Sequence, residues 1–177
     1  MADESLPQRC ARIELLVLDV DGVLTDGRIV YTDAGAELKA FHVRDGSGLK
    51  LWTQLGKQAG IITGRRSPIV ERRAKELGIA TVIQGADDKR TALVQMLEAL
   101  RLTPEQACAV GDDIVDVPML RACGLAAAVA DASLEAKEDA DFVTAARGGH
   151  GAVREAIEWI LRAQGRWEAI VARYRNK

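Results

Sequence analysis

Two carboxylates separated by one residue follow an apolar run near the start of the chain, where the segment LDVDGVLTDG contains Asp19 and Asp21. On an extended backbone, side chains two residues apart point to the same side. Two like charges this close are costly unless a proton or a cation intervenes, and Mg²⁺ suits the position because it prefers oxygen ligands. The pair therefore indicates a magnesium site. The alternative is a solvated turn, since Asp and Gly favour turns.

Two further segments have residues that could bind a phosphate group. In IITGRRS, Thr63 ends an apolar run, and Gly64 would let the backbone approach a phosphoryl oxygen closely. In GADDKRTAL, Lys89 stands at the predicted start of a helix, where its charge opposes the helix dipole. Taken singly, each has an ordinary explanation: a strand-to-helix turn for Thr63 and a solvated surface lysine for Lys89.

An acidic cluster follows a later apolar run, in the segment VGDDIVDVP. Asp112 is placed to be a metal ligand, and Asp113 and Asp116 are placed to support the site from nearby. An acidic helix N-terminus would also explain the cluster, because the helix dipole favours it. All four segments follow a predicted strand or begin the next element, which is where open α/β sheets place their ligands. Their order along the chain predicts one active site.

Predicted strands and helices alternate along the chain, which indicates a parallel sheet whose strand ends position these residues. The predicted fold class is α/β: a Rossmann-like parallel sheet sandwiched by helices, with a β-hairpin insertion after the first strand and no separate cap domain. Short apolar runs predict strands at residues 13–20, 59–63, 80–84, 107–111, 125–130 and 141–144. Helical spacing predicts helices at residues 48–57, 68–77, 89–100, 117–123 and 152–164, with a helical basic tail beyond.

The hairpin is predicted at residues 27–43, GRIVYTDAGAELKAFHV, where two β-rich arms flank the turn-forming Asp33-Ala34-Gly35. Between Asp21 and Thr63 there is room for this hairpin and one helix only. Between Thr63 and Lys89 there is room for one helix and one strand. Neither interval could fold a cap of its own. The active site should therefore be open unless another chain covers it.

Composition limits the classes of function that the chain could have. Its 177 residues suit a single domain, 1–177, and its net charge of −2 argues against a generic nucleic-acid binder. No apolar run approaches the about 20 residues of a membrane span, and the first residues lack a signal-peptide core. Three sparse cysteines indicate reduced thiols in a cytoplasmic protein, and two histidines are too few for a convincing zinc site.

The set Asp19-Val20-Asp21, Thr63, Lys89 and Gly111-Asp112-Asp113 resembles the four motifs of the haloacid-dehalogenase-like superfamily, and the resemblance covers nearly the whole chain. It implies a Mg²⁺ held by Asp19, the backbone carbonyl of Asp21, and Asp112. It also implies nucleophilic attack on phosphorus by Asp19, with Asp21 as the general acid and base and with Thr63 and Lys89 in the catalytic set. An aspartate at position 21 suits phosphoester chemistry.

Finer details resemble one subgroup, which hydrolyses 3-deoxy-D-manno-octulosonate 8-phosphate for lipopolysaccharide precursor synthesis. The similar segments include FHVRDGSGLK, ITGRRS, QGADDK and GGHGAVRE. The resemblance implies a homotetramer with its hairpins gathered together, and a glycine-rich segment at residues 148–151 that lies across a neighbour's site. A phosphatase of a related nine-carbon sugar acid 9-phosphate is the alternative. The implied substrate-binding residues are Arg44, Asp45, Gly46, Lys50, Gly64, Arg65, Arg73 and Lys89.

Two alternatives come from other classes of protein. A receiver domain also combines an acidic cluster, Thr and Lys on a parallel sheet, but its acid pair and phosphoacceptor lie on different strands. A non-catalytic regulatory subunit could keep the fold without the activity. All four motif positions are intact here, which argues against lost catalysis.

Overall fold

The computed structural model describes residues 4–176, and a six-stranded parallel sheet forms its centre. The strands are β1 (Leu15–Leu18), β2 (Val30–Tyr31), β3 (Glu37–Leu38), β4 (Gln58–Thr63), β5 (Thr81–Gln84), β6 (Ala107–Gly111), β7 (Leu125–Ala128) and β8 (Phe142–Val143). The main sheet has the order β5-β4-β1-β6-β7-β8, and all its pairings are parallel. The predicted parallel α/β fold is confirmed.

Helices flank this sheet. They are α1 (Leu6–Ala11), α2 (Val43–Gln54), α3 (Pro68–Leu77), α4 (Lys89–Leu100), α5 (Val117–Leu120), α6 (Leu134–Glu138), α7 (Ala152–Ala163) and α8 (Trp167–Arg175). Helix α7 packs against α1, α2 and α8, while α4 packs against α5. Across residues 4–176, every helix is too short or too polar to cross a membrane.

Strand β1 lies in the middle of the sheet, between β4 and β6. Its four residues, Leu15–Leu18, are all fully buried, as are the residues of β6. Both faces of a central parallel strand are covered by helices, which explains why the sequence is a continuous apolar run without alternation. The central strand therefore ends directly at Asp19, which places that carboxylate at the middle of the sheet's carboxyl edge.

The hairpin formed by β2 and β3 is separate from the main sheet. Val30 pairs with Leu38 and Tyr31 pairs with Glu37, in antiparallel register. Gly35 has a φ of +79° in the connecting turn, a conformation that glycine adopts readily. The paired strands are much shorter than the predicted arms of residues 27–43, because only the centre of the hairpin makes ladder hydrogen bonds.

Helix α2 begins at Val43, five residues before its predicted start at residue 48. Glycine disfavours helices by about 1 kcal/mol relative to alanine, so helix propensity alone does not predict the extension of α2 through Gly46. A Cβ on Gly48 would lie 2.9 Å from Cδ of Arg154 and 3.2 Å from Cδ1 of Ile157, both on α7. Close packing of α2 against α7 thus explains a glycine that helix propensity alone would exclude.

Residues 148–151 are bound to their own chain. The Gly148 N–H donates to Oδ1 of Asp131 at 3.0 Å, and the Gly149 N–H donates to the carbonyl of Val23 at 2.9 Å. A Cβ on Gly148 would lie 1.6 Å from the carbonyl oxygen of Gly22. Within one chain the backbone of this segment therefore docks beside its own site, and its place across a neighbouring subunit stays a prediction.

Candidate active site

The carboxyl ends of three neighbouring strands bring the predicted motifs together. Asp19 follows β1, Thr63 ends β4, and Asp112 follows β6. Lys89 joins them from the first turn of α4, where Asp88 caps the helix by accepting from the N–H groups of Arg90 and Thr91. A pocket of about 360 Å³ lies at this edge. It is lined by Asp19, Asp21, Thr63, Gly64, Arg65, Ala86, Asp87, Lys89, Asp112, Asp113 and Val115.

Asp19 is buried at the floor of this pocket beside a lysine. The Lys89 Nζ atom lies 2.8 Å from Oδ1 of Asp19. Burial raises the pKa of Asp19 to about 6, although the nearby Lys89 charge acts in the opposite direction. Burial alone would lower the pKa of Lys89, but the carboxylates of Asp19 and Asp116 raise it above its ordinary value. Lys89 therefore remains a cation next to Asp19.

Asp116 fixes both Lys89 and the loop after β6. Its side chain is fully buried, and its Oδ1 accepts from Lys89 Nζ at 2.5 Å. Its Oδ2 accepts from the N–H groups of Asp112 at 2.9 Å and Asp113 at 3.2 Å. Both oxygens of Asp116 are therefore used to position other groups, which is the kind of supporting role predicted for this residue.

The carboxylates at this edge fit a divalent cation. Oxygens of Asp19, Asp112 and Asp116 lie within 4.8 Å of one another. Three carboxylates beside one ammonium, Lys89, leave two negative charges unbalanced, which one Mg²⁺ would neutralise. Burial, followed by the negative charge of Asp19, raises the pKa of Asp112 to about 8. Since both oxygens of Asp116 already accept hydrogen bonds from Lys89 and from backbone N–H groups, Asp19 and Asp112 are the side chains that could hold the metal.

Asp21 lies at the mouth of the pocket in a second group of charges. Its Oδ1 is ion-paired with Lys39, and its Oδ2 lies 3.6 Å from Nε of Arg65. Glu37 accepts from Arg65 at 2.8 Å and from the hydroxyl of Ser67 at 2.7 Å. These hydrogen bonds, that of Ser67 first, lower the pKa of Glu37.

Sequence reasoning did not find Glu37 and Lys39. Both lie on the second arm of the hairpin, two residues apart, so an extended backbone directs their side chains to one side. The spacing of two residues between these charged side chains was the only signal in the sequence that they could act together. It did not reveal that this side of the arm faces Asp21, because the direction in which a hairpin folds depends on tertiary contacts.

Several residues predicted to bind substrate lie outside this pocket in the same chain. The carboxylate of Asp45 is buried and accepts from the N–H groups of Gly151 at 3.1 Å and Arg154 at 2.8 Å, so it caps the start of α7. Burial raises the pKa of Asp45, and these hydrogen bonds partly offset that effect. Gly46 lies on α2, where a Cβ would meet Nη2 of Arg73 at 2.4 Å.

Three basic residues that were predicted to bind substrate also lie outside this pocket. Arg73 stacks over the ring of Phe41, with 5.5 Å between the guanidinium carbon and the ring centroid. Arg44 lines a separate surface cleft near His150, and Lys50 lines another between α2 and α8. Within one chain, then, only Gly64, Arg65 and Lys89 of the predicted substrate-binding residues reach the pocket.

Comparisons with known proteins agree with this geometry. Residues 75–157 match the family model described as haloacid dehalogenase-like hydrolase. The 3-deoxy-D-manno-octulosonate 8-phosphate phosphatase KdsC of Yersinia pestis is 45% identical over 168 residues, which cover 95% of this chain and 89% of that protein. KdsC of Escherichia coli strain K12 is 46% identical over 158 residues, which cover 89% of this chain and 84% of that protein.

Solved structures show the same likeness. One is the 3-deoxy-D-manno-octulosonate 8-phosphate phosphatase from Moraxella catarrhalis, in complex with magnesium, phosphate and KDO. It has a TM-score of 0.92 and is 43% identical, and the match covers 95% of this chain and 97% of that one. A cobalt-bound form from Haemophilus influenzae has a TM-score of 0.87 and 42% identity, covering 90% and 94%. These likenesses exclude the receiver-domain alternative. The chain belongs to the haloacid dehalogenase-like hydrolase family, together with these KdsC phosphatases.

Proposed function

We propose that this chain is a Mg²⁺-dependent phosphatase that converts 3-deoxy-D-manno-octulosonate 8-phosphate into the free sugar acid and phosphate, for lipopolysaccharide precursor synthesis. One observation carries the chemistry: a buried carboxylate, Asp19, lies 2.8 Å from Lys89 and beside Asp112. The substrate is supported by KdsC relatives that match most of this chain.

The reaction proceeds in two displacements at phosphorus. An Asp19 oxygen bonds to phosphorus while the ester bond breaks, and Asp21 gives its proton to the departing sugar oxygen. Water then attacks the aspartyl phosphate, returns a proton to Asp21 and releases phosphate from Asp19. Lys89, Thr63 and Gly64 hold the phosphoryl oxygens throughout. A Mg²⁺ bound by Asp19, Asp112 and the backbone carbonyl of Asp21 would offset the negative charge of the phosphoryl group.

The sugar acid is recognised by cationic side chains, because its carboxylate and phosphate are both anionic. Arg65 lies at the pocket of its own chain. Arg44, Lys50 and Arg73 lie on other surfaces, so their proposed role requires a neighbouring subunit. A homotetramer would supply it, and the exposed apolar residues of the hairpin support such an assembly. Three unpaired cysteines support a reducing compartment, the cytoplasm.

A panel of substrates tests this function. Phosphate release by the purified protein is compared for 3-deoxy-D-manno-octulosonate 8-phosphate, a nine-carbon sugar acid 9-phosphate and a neutral hexose phosphate, each with Mg²⁺ or with EDTA. We expect the highest kcat/KM for the eight-carbon acid, and EDTA should stop the reaction. A preference for the nine-carbon acid would favour the alternative substrate, and activity that survives EDTA would contradict the mechanism.

A further inference from the structure

The side chain of Lys39 is buried although it lies on a hairpin that is otherwise exposed. The Lys39 side chain is 2% exposed, whereas the neighbouring hairpin residues Tyr31 and Leu38, each taken as a whole residue, are more than half exposed. Lysine is almost never fully buried without a partner. Here the partners are two carboxylates: Asp21, with which it is ion-paired, and Glu37, whose Oε1 lies 3.6 Å from Lys39 Nζ.

Glu37 anchors the hairpin to the loop that follows β4. It accepts from Nη2 of Arg65 at 2.8 Å and from Oγ of Ser67 at 2.7 Å, and Ser67 is buried. Arg65 in turn has its Nε 3.6 Å from the second oxygen of Asp21. The four charges of Asp21, Glu37, Lys39 and Arg65 therefore form a closed ring between the hairpin and two strand-end loops.

This ring is electrically balanced without a metal. With Asp21 ionised, the state in which it accepts a proton from the attacking water, Asp21 and Glu37 contribute two negative charges, and Lys39 and Arg65 contribute two positive ones. The carboxylates at the pocket floor, by contrast, outnumber their lysine. The side chain of Asp21 thus belongs to the balanced group, where Lys39 and Arg65 determine the direction of its two oxygens.

We propose that Lys39 is a positioning residue that holds the Asp21 carboxylate in the orientation required for proton transfer to the leaving oxygen. This role rests on the proposed phosphatase function. Proton transfer needs the acid within hydrogen-bond reach of the leaving group, so a loss of orientation costs rate even when the carboxylate remains. Lys39 acts through Asp21 and does not itself exchange a proton with substrate.

Leaving groups of different basicity test the proposal. A p-nitrophenolate departs without protonation, whereas an alkoxide requires a general acid. For the Lys39→Met variant, we expect kcat/KM to fall by about 30-fold or more with propyl phosphate and by less than about threefold with p-nitrophenyl phosphate. Neither ester carries the sugar acid, so the ratio between them does not report sugar binding. Lys39→Arg, which keeps the cation, should recover at least about a third of the lost rate with propyl phosphate.

A second buried lysine provides the matched control. Lys57 is also 2% exposed and pairs with Glu14 at 2.9 Å, at the opposite end of the sheet. Lys57→Met should lower the melting temperature while leaving the ratio of the two kcat/KM values unchanged. If Lys39→Met does not fold, Lys39→Gln replaces it with the same expectation.

The outcomes separate this role from the proposed function. Equal losses with both esters in a folded Lys39 variant, or the same change of ratio in Lys57→Met, would overturn the positioning role alone. A wild-type protein that releases no phosphate from 3-deoxy-D-manno-octulosonate 8-phosphate in the presence of Mg²⁺ would overturn the phosphatase function itself.

Discussion

At the scale of single residues, the site depends on how each buried charge is balanced. Lys89 lies between Asp19 and Asp116, and these two carboxylates have different tasks. Asp19 faces the pocket and is the proposed nucleophile. Asp116 is fully buried and uses both oxygens on Lys89 and on backbone N–H groups. Removing the charge of Asp116 should therefore disturb the fold as well as the site.

Asp116→Asn should destabilise the protein by about 3 kcal/mol, because breaking one partner of a buried ion pair leaves the other charge poorly compensated. The amide nitrogen of the new asparagine would also face either the Lys89 ammonium or backbone N–H groups, all of which can only donate hydrogen bonds. Urea unfolding measures this change in free energy. Asp113→Asn is the control, since Asp113 is exposed and asparagine also caps helices well. A change below about 1 kcal/mol for Asp116→Asn would show that the pair with Lys89 contributes little.

The metal should stabilise the protein more as the pH rises. Burial raises the pKa values of Asp19 to about 6 and of Asp112 to about 8, above their ordinary value of 3.8. A carboxyl group with a raised pKa stabilises the metal-free fold at low pH, and that stability is lost as the pH rises through the folded-state pKa. Mg²⁺ binds the ionised carboxylates, so it should stabilise the fold most at high pH, where the metal-free protein has lost the most stability.

Calorimetry with Mg²⁺ or EDTA tests this dependence. The increase in melting temperature caused by Mg²⁺ should be larger near pH 8 than near pH 5.5, because protons compete with the metal at the lower pH. Asp112→Asn should abolish most of the increase at both pH values. An increase of equal size at both pH values in the wild type would contradict the link between these carboxyl groups and the metal.

Part of the site was predictable from sequence for a topological reason. In a parallel sheet, residues that follow different strands meet at one edge, so Asp19, Thr63 and Asp112 could be brought together without coordinates. Lys39 could not, because its contact with Asp21 depends on how the hairpin folds back. The contacts of Asp45 could not be predicted either, since an acid in the segment FHVRDGSG gives no sign that it caps a helix more than 100 residues later.

At the scale of elements, the packing of α2 against α7 holds the region next to the pocket. Apolar spacing predicted α7 well, at residues 152–164 against the observed Ala152–Ala163. The start of α2 was missed, because its glycines are explained by a partner helix that the local sequence does not reveal. Local propensity therefore predicts the helices that face the core with large side chains better than those in close contact through glycine.

Gly48→Ala should destabilise the protein by about 1–2 kcal/mol, although alanine is the better helix former. The added Cβ would lie 3.3 Å from the Cα atom of Arg154, and backbone cannot move aside as a side chain can. Thermal or urea unfolding measures the effect. Ser47→Ala, at an exposed position of the same helix, is the control and should change stability by less than about 0.5 kcal/mol. A stabilised Gly48→Ala would mean that helix propensity outweighs the contact with α7.

At the scale of the whole molecule, the C-terminal segment from Gly148 onward is part of the domain. Helix α7 buries apolar residues in the core, so removing the chain from Gly148 onward would expose a large part of it. These buried residues are Ala152, Val153, Ala156, Ile157, Ile160 and Leu161. A deletion of this kind would test folding, and substitutions on the surface are the better way to study assembly.

The hairpin is the surface that we expect to assemble subunits. Leu38 is 53% exposed, and Ile29, Val30 and Tyr31 are exposed beside it. A short two-stranded hairpin is marginal in water, so burial between subunits would stabilise it. Light scattering of the wild type should give about four times the chain mass of 19.1 kDa. Leu38→Lys should shift the population to smaller species.

Leu134→Lys is the control for that experiment, because Leu134 is 73% exposed but lies on α6, away from the hairpin. It should leave the mass unchanged. A wild type that is monomeric at micromolar concentration would contradict the tetramer. A tetramer that survives Leu38→Lys would show that the hairpin is not its interface.

The central claim is that Asp19 carries the phosphoryl group during turnover. The direct measurement is to quench the protein with acid during turnover of 3-deoxy-D-manno-octulosonate 8-phosphate, digest it and locate any phosphorylated peptide by mass spectrometry. Asp21→Asn should slow both steps, because it removes the proton donor for the leaving oxygen and the base that activates water. We expect one phosphoryl group on Asp19 in the wild type and none in Asp19→Asn. Phosphate on another residue, or sustained turnover by Asp19→Asn, would contradict this expectation.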